Sequence, residues 1–119
     1  MKIRVSRKRW LRGVENSALL SSNKKMCCLG FGARQCGVKA RDILNKLMPG
    51  SIRPDHRTQA LLDSPLLTTI EFSPGSCYNS LLSEGAAVIN DDPKLTDRER
   101  ETQLRSLFRK HGHQIVFVP

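Results

Sequence analysis

The groups in this sequence best suited to chemistry are guanidiniums. Arg98, Thr102, Arg105 and Arg109 recur at i, i+4, i+7 and i+11, within about 60° of one another on a helix that turns ~100° per residue. Three planar forks on one face suit a phosphate or pyrophosphate. The same spacing also suits a solvated face paired with Glu101 and its neighbours. Asp91 and Asp92 are adjacent, with Glu84 nearby, but adjacent acids more often mark a turn leading into a helix than a metal or acid–base pair. The serines lack a nucleophile elbow, and His56, His111 and His113 fall in loops or beside a helix end. No catalytic constellation emerges, so the expectation is a non-enzyme without a cofactor.

Cys27, Cys28, Cys36 and Cys77 contain no C-x-x-C pair. They read as reduced, buried small hydrophobes, because a zinc site built from Cys28, Cys36 and Cys77 with a histidine would have no familiar ligand spacing. Gly30-Phe31-Gly32 looks like half of a dinucleotide fingerprint, but the third glycine is missing where it is needed. Small residues there suit close helix packing instead. Trp10, the only tryptophan, sits among Arg7, Lys8, Arg9 and Arg12. It is either a core anchor beneath a basic surface or a stacking platform for a base, with Arg12 and its neighbours holding phosphates.

The elements that must position these groups are clearest near the C-terminus. Thr96 and Glu99 stand at capping-box spacing, and Leu104, Leu107 and Phe108 form an apolar stripe. Arg109 and Lys110 match the dipole of the last turn, Gly112 is the expected residue past the end, and Gln114 to Val118 alternates as a strand. Earlier, Lys2 to Val5 reads as a short strand. Ala18-Leu19-Leu20, a polar turn and Met26-Cys27-Cys28-Leu29 read as a hairpin. Ala40 to Met48 is an expected helix carrying Ile43, Leu44 and Leu47. Residues 49–76 are irregular, with Leu66 to Phe72 an expected edge strand and Cys77 to Leu82 one or two helical turns ending near Gly85. The fold class is α+β: one domain spanning 1–119, a small antiparallel sheet with packed helices, and a long C-terminal helix followed by a strand.

Of 119 residues, 39% are hydrophobic and 5% aromatic, so the core should be small and aliphatic, a limit that sharing between subunits would ease. No apolar run approaches the ~20 residues of a membrane span, and the basic start lacks the apolar region of a signal peptide. A cytoplasmic protein without membrane contact is expected. The net charge is +9, unevenly spread: residues 1–57 hold 14 basic and 3 acidic side chains, residues 58–119 hold 6 and 8. Such an excess points to an anionic partner.

Arg9-Trp10-Leu11-Arg12-Gly13, Lys25 to Phe31, Ile89-Asn90-Asp91-Asp92 and the helix beginning Leu95-Thr96-Asp97-Arg98 occur in that order, followed by Gly112 and Ile115-Val116-Phe117-Val118. In this order the chain resembles the phage Thoeris anti-defence proteins of the first type, small sponges that capture immune signalling nucleotides. The resemblance covers both ends of the chain and not residues 38–76. It implies that cyclic ADP-ribose isomers are bound without cleavage in pockets between two protomers, in the host cytoplasm. It also implies a homodimer or a higher assembly such as a hexamer, with cyclic oligonucleotides at a separate site. Asn90 matches a position that contacts ligand, as does Arg105 or Arg109. Tyr78 stands for the stacking aromatic and Arg57 for the second site. Read bottom-up, Tyr78 or Trp10, the Arg98/Arg105/Arg109 stripe, Asn90 and Asp92 supply the plane, forks and ribose partners that such a ligand requires. The alternative is a small basic nucleic-acid-binding protein, supported by the basic first half and Trp10. No helix-turn-helix pattern accompanies it.

Overall fold

In the computed structural model the chain runs β1 (Lys2–Ser6), α1 (Cys28–Gln35), α2 (Ala40–Ile43), α3 (Gln59–Leu62), β2 (Thr69–Ile70), β3 (Ser80–Leu81), α4 (Leu82–Asp91), α5 (Asp97–Lys110) and β4 (Gln114–Val118). The structure describes residues 1–67, 69–70 and 80–119, with only the backbone described at 69, 70, 80 and 81. The α+β class holds, and the long C-terminal helix runs into a strand as the sequence predicts.

The main sheet corrects the expectation of an antiparallel one. β1 and β4 pair in parallel, Ile3 opposite Ile115 and Val5 opposite Phe117. Alternation places these four side chains in the core. Parallel strands need a crossover, and here nearly the whole chain supplies it. Among the described residues, only the two-residue pair β2–β3 is antiparallel.

The expected hairpin is absent. The polar turn forms, with Ser21 N bonded to Lys25 O at 2.8 Å, but its flanks make isolated parallel bridges to other segments, Trp10 with Met26 and Leu20 with Leu44. Cys28 starts α1 rather than continuing a strand. Packing explains why: a Cβ on Gly30 would lie 1.8 Å from Leu19 O, and one on Gly32 2.9 Å from Ile3 Cδ1. The two glycines let α1 press against its neighbours, the close packing expected of them.

The expected helix over 40–48 shrinks to α2. Asn45 takes a left-handed φ of 59°, and Leu44 and Leu47 are left exposed while Ile43 is buried. The helical turns expected over Cys77 to Leu82 lie partly outside the described residues, and Ser80–Leu81 form β3 instead; α4, from Leu82 through Gly85 to Asp91, was not anticipated. Gly85 gives it room against Leu107. The expected strand over 66–72 is confined, among described residues, to Thr69–Ile70.

α5 forms as its local signals dictate. Thr96 Oγ1 accepts from Glu99 N at 3.1 Å and the Glu99 carboxylate accepts from Thr96 N at 3.0 Å. Such a cap contributes about 1 kcal/mol. Leu104 and Phe108 enter the core while Leu107 packs at its margin. Gly112, at φ 80°, turns the chain into β4.

Candidate anion-binding site

Arg105 and Arg109 lie one turn apart near the end of α5, and the parallel pairing sets them beside the start of β1 and β4. Together with Lys2, His113, Gln114, Ile115 and Val116 they line an open concavity of about 350 Å³, near the lower end of small-molecule sites. None of these lining residues is a carboxylate. Arg105 is held from two sides: Glu101 Oε1 lies 3.6 Å from its NH1, and its guanidinium carbon lies 5.7 Å from the Phe117 ring centre. Glu101 accepts its shorter bonds, 3.0 and 2.7 Å, from Arg7, leaving Arg105 with donors to spare. Arg109 is exposed, and no ion pair engages it among the described residues.

His113 closes the concavity near the sheet. Its Nδ1 accepts from the amino group of Met1 at 2.9 Å. Burial, with the Met1 and His111 charges behind it, pushes its pKa below the ordinary value of 6.5. The pocket therefore holds a neutral imidazole near pH 7.

Most of the other predicted contacts lie elsewhere. Asn90 is completely buried. Its Oδ1 accepts from Trp10 Nε1 at 2.8 Å and Cys28 N at 3.1 Å, and its amide nitrogen donates to Leu11 O and Asp91 Oδ1, both at 3.0 Å. Its carboxamide is saturated by partners within the fold. Trp10 is 1% exposed, its ring tilted against Phe117 at 4.8 Å. It is the core anchor, and the stacking reading is corrected because no face is open. Arg12 covers that ring at 4.9 Å and forks onto Asp97 at 3.2 and 2.8 Å, so its donors are already committed.

Asp92 accepts from Lys94 N at 2.9 Å and lines a different depression, with Glu15, Asn16, Ala87, Val88, Asp91 and Pro93. Arg98 is exposed on a shallow surface with Glu99, Thr102 and Gln103. The stripe thus divides, Arg105 and Arg109 on one site and Arg98 apart. Arg57 donates to Ile52 O and Gly50 O, both at 2.9 Å, tying its own loop. Tyr78 lies outside the described residues, as does Cys77.

Cys27, Cys28 and Cys36 are free and buried; burial raises the Cys27 thiol to about 11 and pushes Cys28 well above its ordinary value. Among the described residues no group of three or more histidine, cysteine or acidic side chains is placed to hold a metal, and no helix is long and apolar enough to cross a membrane. Lys2, His113 and Gln114 were missing from the sequence-derived site. Their signal was the strand pairing, which local pattern does not reveal. No protein-family model, curated protein or solved structure matches the chain.

Proposed function

We propose that this protein captures an anionic signalling nucleotide, a cyclic ADP-ribose isomer, and sequesters it without cleavage, as a phage anti-defence protein acting in the bacterial cytoplasm. The observation that carries this reading is the concavity in which Arg105, Arg109 and Lys2 converge and no carboxylate enters. Two guanidinium forks one helical turn apart suit the two phosphates of a pyrophosphate. His113 and Gln114 offer neutral partners to ribose hydroxyls or a base edge. Capture needs affinity and slow release rather than an activated water, so the site calls for no acid–base pair.

The open side of the concavity suits completion by a second protomer, and we extend the proposal to a homodimer or larger homo-oligomer. Multi-angle light scattering should give at least twice the 13.4 kDa chain mass at micromolar concentration. A monomer at that concentration removes the shared pocket. The function itself is tested by incubating the protein with a cyclic ADP-ribose isomer, removing free ligand by gel filtration, and heating. Recovery of intact nucleotide supports sequestration. A hydrolysed product means an enzyme, and no retained nucleotide refutes the reading.

A further inference from the structure

We infer that Lys8, Arg9, Lys24 and Lys25 form a second anion-binding surface, separate from the Arg105–Arg109 concavity, which takes the phosphodiester backbone of duplex nucleic acid. This inference does not rest on the nucleotide reading above. The four cations come from segments about fifteen residues apart that the fold joins. Met26 N donates to Arg9 O at 2.9 Å and Leu11 N to Met26 O at 2.7 Å, fixing Trp10 opposite Met26 in a parallel bridge. The bridge sets Arg9, the last residue of a 3-10 turn over Arg7–Arg9, and Lys25 immediately before the buried Trp10–Met26 pair. Arg9 and Lys25 are exposed, as are Lys8 and Lys24.

Neighbouring cations are neutralised, Arg7 by Glu101 and Arg12 by Asp97. Lys8, Arg9, Lys24 and Lys25 have no carboxylate partner among the described residues. The turn presenting the lysines is itself ordered. Lys24 N donates to Ser21 O at 2.9 Å and Lys25 N to Asn23 Oδ1 at 3.1 Å. Lys24 sits at a left-handed φ of 68°, a conformation that glycine or asparagine adopts at lower cost.

The chemistry of the surface selects the polyanion. Trp10, Phe31, Phe108 and Phe117 are buried, so the described residues offer no stacking platform of the kind single strands use. Ser21, Ser22 and Asn23 separate the lysines from Leu20, and none of them can insert between acyl chains as a lipid surface requires. What remains is charge aimed at phosphates, which binds duplex without reading sequence.

The test is fluorescence anisotropy with a labelled DNA duplex of about 20 base pairs, titrated from roughly 50 to 200 mM salt. Four phosphate contacts predict a log–log salt slope of about −3.6. K8A/R9A and K24A/K25A should each reduce its magnitude by about 1.8 with unchanged thermal midpoints, while R105A/R109A leaves it unaltered. Wild type failing to bind at low salt overturns the proposal, and so does a slope unchanged in both double variants. Tighter binding to phosphatidylserine vesicles than to duplex also overturns it, in favour of a membrane surface.

Discussion

Asn90 uses every hydrogen-bonding position of its carboxamide: two acceptor bonds from Trp10 and Cys28, two donor bonds to Leu11 and Asp91. Its backbone oxygen adds a fifth, from Gly13 N at 2.8 Å. One side chain therefore ties the basic N-terminal segment, the start of α1 and the end of α4 into a single joint. Replacing it by alanine strands buried partners, each at about 1–3 kcal/mol. N90A should lose roughly 3–5 kcal/mol in urea unfolding. An N90A protein of native stability that had lost ligand would return Asn90 to the binding site. His113 gives a second residue-level expectation. Its folded pKa lies below 6.5, and an anion in the concavity favours its charged form against the opposing charges of Met1, His111, Lys2, Arg105 and Arg109. Binding should take up a proton, so affinity should tighten as pH falls toward and below 6.5. H113A should flatten that dependence; an equal pH dependence in the variant rules His113 out as its source.

At the scale of elements, what was legible followed from local chemistry. The capping box, apolar stripe and terminal glycine of α5 all lie within one stretch of chain, and each acts on its neighbours, so the helix and the Arg105–Arg109 spacing could be read directly. The β1–β4 pairing could not, because Lys2 and Gln114 meet only after every helix has packed. The hairpin over 18–29 failed for a related reason. Met26-Cys27-Cys28-Leu29 has a strand-like composition, but Gly30 and Gly32 let α1 approach Leu19 and Ile3 closely, and that contact outweighs local preference. G30A tests this. Its Cβ would fall 1.8 Å from Leu19 O, so the helix must move, and a loss of about 3 kcal/mol or more in urea unfolding is expected. Wild-type stability in G30A would mean the contact is not tight.

Across the whole molecule, charge and burial sort the candidate residues. Arg12 and Trp10 are spent on the fold, and Arg7 shares Glu101 with Arg105. Among the described residues, the cations without an ion-pair partner include Lys2 and Arg109 beside β4 and Lys8, Arg9, Lys24 and Lys25 around the polar turn. Asp91, Asp92 and Glu15 gather at a different depression, so an anion meets little acidic charge in the arginine concavity. The central claim, that this concavity captures a pyrophosphate-bearing nucleotide, is tested most directly by calorimetric titration of a cyclic ADP-ribose isomer into wild type and R105A/R109A. Each lost charge-assisted contact should cost on the order of 1.5–3 kcal/mol, roughly tenfold to more than a hundredfold in affinity. Both side chains sit at the surface, so the variant should stay within about 0.5 kcal/mol of wild-type stability. The variant should remain folded with its Kd raised at least a hundredfold. A folded R105A/R109A that binds the nucleotide as tightly as wild type would contradict the central claim.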